Sequence, residues 1–305
     1  MRKNRKPRLM MNISKCWQLY LLMLPAFASV VIFHYIPIYG AQIAFKDYRT
    51  SLGIAGSEWV GFKHFVRFLT YPDFKLIMKN TVVLSVYEYL TFPLSIILAL
   101  SIDEIRNKKF KKTVQMVTYA PYFVSTIIVV SMLNLFFARG TGFVNAIIEN
   151  LGGERIAFLE KTGYFPAFYV WSGVWSGLGW GTIVYLAALA GVSEDLIEAA
   201  KIDGAGRLRV LWSIKIPCIL PTIIIMLILR TGSLVSVGFE KVYAMQNPFN
   251  LDVSRVISTY VYELGITNAQ FSYSAAIGLF NNMINLVLIL IVNWISKKVT
   301  ETSLF

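Results

Sequence analysis

The chain has 305 residues, of which 56% are hydrophobic and only 15% are charged, and its mean hydropathy is +0.59. Soluble domains carry about 25% charged residues, so this composition excludes an ordinary soluble protein and indicates a protein of the lipid bilayer. The net charge of +12 does not indicate nucleic-acid binding, because the basic residues cluster between long apolar runs, where they set the orientation of membrane spans.

The sequence offers no recognisable place for a metal ion or a nucleotide. Its two cysteines, Cys16 and Cys218, are both predicted to lie at the cytoplasmic edges of spans and have no metal-binding spacing. Its two histidines, His34 and His64, do not form a metal site. The glycine-rich phosphate loop G-x-x-x-x-G-K-[ST] does not occur in the sequence. We therefore expect the chain itself to bind no cofactor.

The first 16 residues are basic, and an apolar run from Trp17 to about Ile38 follows them. About 20 apolar residues are enough to cross a bilayer. A cleaved signal peptide is the alternative interpretation, because residues 26–28 imitate a cleavage site. The apolar run continues well past Ala28, which is too long for a signal peptide. We therefore predict a retained first span.

Further apolar runs alternate with polar segments along the chain. Residues 39–79 are predicted to cap the outer membrane face, and they include a short interfacial helix formed by Phe62, Phe65, Val66 and Leu69. Pro121 is expected to break the third span near its start. An outer loop at 238–269 is predicted to contain a short helix over 258–264. The predicted spans are 17–38, 80–100, 114–137, 164–190, 218–237 and 271–295.

Six spans place both termini on the same side of the membrane. Lys and Arg are more frequent on that side, and they lie in shorter segments there than on the other side. This bias places both termini in the cytoplasm. The predicted fold is therefore an all-α polytopic membrane protein with six transmembrane helices. It has a basic cytoplasmic N-terminus at 1–16, one membrane domain at 17–295 and a cytoplasmic tail at 296–305.

A polar segment at 193–217 separates the fourth and fifth predicted spans. Ser193 is a good N-cap for a first short helix, and Gly204 can end that helix because glycine tolerates a left-handed backbone. A second short helix is predicted from Arg207 to Ile216, with Pro217 marking the return to an apolar run. The simplest interpretation is a basic interfacial loop that only holds two spans apart.

A motif within this segment indicates more than a spacer. Glu198-Ala199-Ala200, then Gly204, then Ile214-Lys215-Ile216-Pro217 resembles the EAA motif of permease subunits of binding-protein-dependent ABC importers. That family usually has Leu before the final Pro, so Ile216 is a departure. The resemblance implies the architecture of a type I ABC importer permease.

Weaker similarities extend over nearly the whole chain. The stretches HYIPIYGAQIAFKDY, GIAGSEWVGFKHFVRF, GFEKVYAMQNP and VISTYVYELG resemble sugar permeases of carbohydrate ABC importers, in particular the polysaccharide or complex-oligosaccharide branch. The resemblance implies import of a saccharide across the bacterial cytoplasmic membrane. It also implies four partners for the chain, namely a second homologous permease, two ATP-binding subunits that hold ATP and Mg, and an extracellular substrate-binding lipoprotein.

The resemblance also assigns roles within 193–217. Glu198 is expected to be the polar anchor that pairs with a basic group of an ATPase, and Ala199 and Ala200 are small enough for close docking. A rigid knob of two helices joined at Gly204 would then transmit motion between the ATPases and the spans. The predicted coupling residues are Glu198, Ala199, Ala200, Asp203, Gly204, Ile214 and Pro217.

Aromatic and polar side chains within the spans are candidates for a substrate path. Trp171 and Trp175 lie one helical turn apart, and Trp175 is predicted to lie near the bilayer midplane. Sugars stack their C–H faces on such rings, although packing between helices is the simpler explanation of two tryptophans. The predicted path residues are Glu88, Asn134, Trp171, Trp175, Tyr185 and Glu240.

Charges inside a membrane are costly and are therefore functional candidates. Glu88 lies in the second predicted span and Arg230 in the fifth. The two side chains either pair with each other for structural reasons or line the path. Asn134 either lines the path or bonds across helices.

Two other classes of protein remain as alternatives. An ion-coupled secondary transporter would use intramembrane carboxylates, of which Glu88 is a lone candidate, and neither inverted repeats nor unwound helices are evident. A polytopic membrane enzyme would need a cluster of His, Asp or Glu near the span ends, and none is evident in the sequence. The importer permease is therefore the preferred prediction.

Overall fold

A computed structural model describes residues 17–300 of the chain, and nearly all the regular structure in this range is helical. Five helices are long and apolar enough to cross a membrane, and a bent pair of helices makes a sixth crossing if it counts as one span. The five are Trp17–Phe45, Phe74–Asp103, Thr162–Ala190, Arg207–Thr231 and Phe271–Lys298. The basic residues 1–16 and the end of the predicted tail lie outside the described residues.

The first span, α1, is longer than predicted and ends at Phe45 rather than near Ile38. Its last turns tighten into a 3₁₀-helix at Ala41–Phe45. No residue of its first part, Trp17–Val30, is buried. This span therefore presents its apolar surface outward, away from the rest of the described chain.

The segment after α1, which is predicted to cap the outer membrane face and is called the cap below, is structured. Strand β1 (Lys46–Asp47) pairs antiparallel with β2 (Glu58–Trp59), and the short helix α2 (Gly53–Gly56) lies between them. Helix α3 (Lys63–Leu69) follows, so the predicted interfacial helix is present. The cap is fastened to the last span where Ser272 accepts a hydrogen bond from the amide of Tyr48.

The second span consists of α4 (Phe74–Leu90) and α5 (Phe92–Asp103), with Thr91 between them. Pro93 lies in the first turn of α5, where its missing N–H leaves no intrahelical bond unmade. The span begins six residues earlier than predicted, and its first turns mix apolar residues with Lys75, Lys79 and Asn80. Asn80 there donates to the backbone oxygens of Asp252 and Arg255, which joins α4 to the outer loop.

The third predicted span is a bent pair of helices. Helix α6 (Lys108–Tyr119) runs into a 3₁₀ turn at Ala120–Phe123, and α7 (Thr126–Phe137) leaves at an angle of 95°. Pro121 lies in the 3₁₀ turn, so the predicted break is present but is much sharper than a kink. Helix α8 (Phe143–Asn150) follows in the predicted loop.

Helix α9 (Phe165–Ala190) is the fourth span and contacts both halves of the bent pair. Gly179 permits this, because a Cβ there would lie 2.0 Å from the backbone oxygen of Thr118 in α6. Tyr122 stacks on Trp180 of α9 with ring centroids 4.4 Å apart. A side chain at position 179 would therefore push α6 away from α9.

The segment 193–217 folds as two helical parts, but the second part is not a separate short helix. Helix α10 (Glu194–Ile202) is separate, whereas α11 runs without a break from Arg207 to Thr231 and is itself the fifth span. Pro217 does not end a helix. A π-helical turn at Leu211–Lys215 comes before it, so Pro217 lies in the first turn of the α-helical part that follows, where proline is tolerated.

The fifth span ends at Thr231 rather than near residue 237. Asn285 of the last span accepts a hydrogen bond from the amide of Val235 and donates to Ser236, so this stretch packs against that span as non-helical backbone. In a longer helix these backbone groups would form hydrogen bonds within the helix. Here a polar side chain of the neighbouring span supplies a hydrogen-bond partner instead.

The outer loop is mostly helical, and it carries more structure than the single short helix predicted there. Its elements are α12 (Phe239–Met245), α13 (Leu251–Ser254) and α14 (Ile257–Tyr262), and α14 continues as a π-helical turn to Thr267. The last span is α15 (Phe271–Thr300). Buried apolar side chains of α3, α4, α14 and α15 form one core cluster beneath the cap, around Phe68, Ile257 and Tyr273.

Candidate coupling segment and translocation path

The turn between α10 and α11 depends on glycine. Gly204 has φ +80°, a left-handed conformation that glycine adopts without strain. The amide of Ala205 closes the turn by donating to the backbone oxygen of Ala200 at 2.9 Å. Ser193 occupies the N-cap position of α10 in extended conformation, although its side chain makes no capping hydrogen bond. Glu194 and Asp195 lie in the first turn, where the helix dipole favours acidic side chains.

The predicted coupling residues are accessible. Glu198, Ala199, Asp203, Gly204 and Pro217 are exposed, whereas Ala200 and Ile214 are half-buried. Large apolar side chains share this surface, with Ile202 86% exposed and Leu208 74% exposed. Contiguous exposed apolar residues beside an exposed carboxylate are typical of a surface that another protein covers.

A charged cavity of about 420 Å³ lies between α10, the start of α11 and the end of α5. Glu194, Glu198 and Lys201 line one side of it, and Asp103, Glu104 and Lys215 line the other. Lys215 is only 8% exposed and donates to Asp103 Oδ2 at 2.7 Å and also to Glu104 Oε1. This ion-pair network ties residues 193–217, here called the coupling segment, to the end of the second span.

Sequence reasoning did not identify the network around Lys215. Two signals in the sequence point to it. Lys215 stands between Ile214 and Ile216 in an apolar stretch, and two consecutive acids, Asp103 and Glu104, directly follow an apolar run. A buried lysine in such a stretch requires a carboxylate partner.

Two polar cavities of about 340 and 200 Å³ lie among α4, α5, α9, α11 and α12. Glu88, Tyr169 and Arg230 line both of them. Tyr169 donates to Glu88 Oε2 at 3.4 Å. Buried Ser85 Oγ lines the smaller cavity and has no hydrogen-bond partner within residues 17–300. These cavities offer both charge and free hydrogen-bonding groups.

Glu88 and Arg230 meet, but not as a carboxylate–guanidinium pair. Arg230 Nη2 donates to the backbone oxygen of Glu88 at 2.7 Å, just before the break between α4 and α5. In the part of the chain that the structure describes, no carboxylate lies within salt-bridge distance of Arg230. The Arg230 guanidinium therefore adds a third donor to a carbonyl that already accepts from the amide and hydroxyl of Thr91, and it keeps its charge in the cavity wall.

A second cation lines the larger of these two cavities. Lys241 of α12 donates to the backbone oxygen of Tyr169 at 2.5 Å and lies 4.8 Å from the centroid of its ring. Burial lowers the pKa of Lys241 to about 8, and the nearby carboxylate of Glu88 acts in the opposite direction. Sequence reasoning selected the adjacent Glu240, which is exposed, rather than Lys241. Lys241 and Tyr169 are thus additional candidate path residues.

The two predicted tryptophans line a different cavity. Trp171 and Trp175 are about half-exposed and border an apolar cavity of about 530 Å³ between α7 and α9. Trp171 Nε1 donates to the hydroxyl of Tyr87 at 2.8 Å, which links this cavity to the second span. The structure therefore separates the aromatic candidates from the charged ones.

The remaining candidates lie apart from both sets of cavities. Asn134 of α7 is exposed and borders only a small cavity of about 20 Å³. Tyr185 is buried in an apolar cluster between α5, α9 and α11, and its ring packs edge-on against Phe92 at 6.4 Å. Within the described range, no group of three or more His, Cys, Asp or Glu side chains is placed to hold a metal ion.

The chain has helical crossings, an exposed helical segment between the fourth and fifth crossings, and polar cavities between spans. Together these features define a transport protein of the membrane rather than an enzyme. The chain belongs to the family described as binding-protein-dependent transport system inner membrane components, whose model matches residues 91–301. The predicted family is therefore confirmed, together with its location in the inner membrane. The ion-coupled alternative receives no support.

Relatives that match over nearly their whole length support this assignment. The chain is 42% identical to the polygalacturonan/rhamnogalacturonan transport system permease protein YteP of Bacillus subtilis over 305 residues, which cover 100% of this chain and 95% of YteP. It is 46% identical to protein LplB of the same organism over 288 residues, which cover 94% and 91% of the two chains.

Two solved structures share the fold. A chain of a bacterial ABC transporter involved in the import of the acidic polysaccharide alginate superposes with a TM-score of 0.87 at 37% identity, covering 96% of this chain and 99% of that chain. A chain of a bacterial alginate ABC transporter in complex with an alginate pentasaccharide-bound periplasmic protein gives a TM-score of 0.88, with coverages of 97% and 100%. The predicted importer permease architecture is confirmed.

Proposed function

We propose that this chain is a permease subunit that imports acidic oligosaccharides, with the charged cavities between α4, α5, α9, α11 and α12 on the substrate path. The observation that carries the proposal is the pair of cations, Arg230 and Lys241, set against the single carboxylate of Glu88 in the larger cavity. A net positive lining favours saccharides that carry carboxylates. The named substrates of the relatives, polygalacturonan and alginate, agree with such a ligand.

Residues 193–217 are proposed to couple this path to ATP hydrolysis. Glu198, Ala199, Ala200, Asp203 and Gly204 would meet one of two partner ATP-binding subunits, which hold the ATP and Mg. Exposed Ile202 and Leu208 supply apolar contact area around Glu198. Ile214 and Pro217 lie within α11, which is itself the fifth span, so displacement of the segment would move that span.

The other predicted features complete the proposal. Both termini and residues 193–217 are proposed to lie in the cytoplasm. A second homologous permease would pair with this chain. An extracellular lipoprotein would deliver the saccharide at the outer loop near Glu240. Trp171 and Trp175 are proposed to stack on sugar rings in the separate apolar cavity between α7 and α9. Asn134 and Tyr185 stay path candidates on the sequence alone, and we propose no contact between either residue and the saccharide.

The test is uptake by the complete assembly reconstituted in vesicles, with labelled oligogalacturonides and neutral oligosaccharides of equal length. We expect the wild type to take up the acidic substrate preferentially. The double variant Arg230→Gln/Lys241→Gln should lose most acidic uptake, while ATP hydrolysis in the absence of substrate stays unchanged. Arg139→Gln, an exposed cation outside these cavities, is the matched control. Equal uptake of acidic and neutral substrates by the wild type would disprove the proposed substrate class.

A further inference from the structure

Helix α6 is amphipathic and strongly basic. Its sequence KKFKKTVQMVTY carries four lysines in the first five residues, and Arg106 precedes it. At 100° per residue, Lys108, Lys109 and Lys112 lie on one side of the helix, and all three are exposed. Phe110, Val114 and Val117 lie on the opposite side. The lysine side of α6 and its apolar side therefore require different surroundings.

The apolar stripe of α6 is also uncovered. Phe110 is 58% exposed and Val117, two turns further on, is 62% exposed on the same side. The end of α6 packs on α9 through Thr118, which lies on neither the cationic side nor the apolar stripe. Among residues 17–300, nothing buries the Phe110–Val117 stripe.

The exposed lysines have no carboxylate partners in the described part of the chain. Lys111 pairs with Asp103 at 3.5 Å, but no ion pair involves Lys108, Lys109 or Lys112. The nearest acids in the sequence, Asp103 and Glu104, are both bonded to Lys215. Three neighbouring cations are therefore available to an anion from outside the chain.

The position of α6 brings these lysines to a membrane surface. The helix begins five residues after the end of the second span, beside the coupling segment, and the 95° bend before α7 prevents it from continuing as a straight crossing. The lysines are confined to the first five residues of α6, so they lie at the end where the helix enters the bilayer, and lysine side chains there reach the headgroups while exposed apolar residues contact the acyl chains.

We propose that the first turns of α6 lie at the membrane interface and that Lys108, Lys109 and Lys112 bind the headgroups of anionic phospholipids. Charge complementarity identifies the occupant, because clustered lysines next to a span attract anionic lipid and the apolar stripe beside them needs acyl chains rather than water. The leaflet is the cytoplasmic one, a point that rests on the proposed placement of residues 193–217 in the cytoplasm. Through Lys111, Asp103 and Lys215, the bound lipid would adjoin the coupling segment.

The test compares lipid retention by intact assemblies, measured by native mass spectrometry after purification with mixed phosphatidylglycerol and phosphatidylcholine. The variant Lys108→Gln/Lys109→Gln/Lys112→Gln is set against Lys75→Gln/Lys79→Gln/Lys161→Gln, which removes three exposed lysines on the opposite side of the proposed membrane topology. We expect the α6 variant to need at least about tenfold more phosphatidylglycerol for the same occupancy, because each lysine near an anionic surface contributes about 1 kcal/mol. The control should behave as the wild type.

The triple Lys→Arg variant keeps the charges and should retain phosphatidylglycerol, and added salt should release it from the wild type. Equal retention by the Gln variant and the wild type would overturn the proposal, as would no preference for phosphatidylglycerol in any form. Loss of a protein subunit from the Gln variant with lipid retention intact would also overturn it and would identify α6 as a protein-docking helix. Saccharide uptake is measured separately, so an assembly that retains the lipid but transports no saccharide would contradict only the proposed function.

Discussion

Lys215 donates a hydrogen bond to Asp103 Oδ2 at 2.7 Å, although 112 positions separate the two residues. Asp103 ends the second span, whereas Lys215 lies in the π-helical turn that joins the coupling segment to the fifth span. A salt bridge with one nearly buried partner fixes these two elements against each other. The relative position of the spans therefore depends on a contact at the base of the coupling segment.

Replacing Lys215 by Met is expected to weaken this connection. Removing one partner leaves Asp103 and Glu104 without their shared cation, at a cost of about 2 kcal/mol in the free energy of unfolding. We expect a lower Tm and several-fold less saccharide transported per ATP hydrolysed by reconstituted assemblies. Lys215→Arg should retain most of both. Lys201→Met, which removes an exposed lysine from the same cavity, is the control, and an equal effect there would refute a specific role for Lys215.

Glu198→Lys is expected to abolish uptake while the permease remains in the membrane at normal amounts. The residue is exposed, so the change disturbs little within the chain and acts on the partner surface. Uptake by whole cells and permease abundance by immunoblot measure the two quantities. Asp195→Lys reverses a charge one turn away in α10 and should retain substantial uptake. Normal uptake by Glu198→Lys would refute the docking role.

Gly179→Ala tests the close contact between α6 and α9. The added Cβ would lie 2.0 Å from the backbone oxygen of Thr118, so the helices must separate, and we expect a loss of about 2–4 kcal/mol and a lower Tm of the purified permease. Gly177→Ala is the matched control, since a Cβ there meets nothing within 4 Å. Thermal unfolding followed by fluorescence distinguishes the two variants, and identical Tm values would contradict the packing described.

Trp175→Ala and Glu240→Ala are each expected to change substrate affinity or preference more than ATPase coupling. Trp175 borders the apolar cavity, and removal of its ring takes away a stacking surface worth about 1–2 kcal/mol, which is roughly a tenfold change in half-saturating substrate concentration. Competition between labelled saccharides measures the preference. Trp294→Ala, which removes a somewhat more exposed ring near the end of the last span, is the control. Unaltered preference in both test variants would remove these residues from the path.

Uptake of acidic saccharides should fall as the pH rises through about 8. Burial lowers the pKa of Lys241 to about 8, so the side chain is a cation below that pH and becomes neutral above it, while a sugar carboxylate stays ionised throughout. Lys241→Arg keeps the charge and should flatten the pH profile between about 7 and 9, because arginine stays protonated. Uptake of a neutral saccharide is the control. A wild-type profile that is flat for the acidic substrate would contradict this prediction.

Local patterns in the sequence were sufficient to predict where the main helices lie and where they break. Apolar runs of spanning length, Pro121 at the break and Gly204 at the turn each act through residues close in sequence, and each prediction matches the structure. The ends of spans were less predictable, since α1 extends to Phe45 and the fifth span stops at Thr231. A helix end within a membrane depends on which neighbouring groups satisfy the backbone, as Asn285 does for Val235.

The amino-acid sequence by itself indicated the class of the protein through the EAA-like motif, and it predicted the five long crossings and the break at Pro121, because hydrophobic length and proline geometry are local properties. Only the tertiary structure decided which side chains meet. It joined Lys215 to Asp103, gave Arg230 a backbone oxygen rather than a carboxylate, and separated the Trp171 cavity from the Glu88 cavity. These contacts depend on the packing of spans far apart in the chain, which no periodicity within one span encodes.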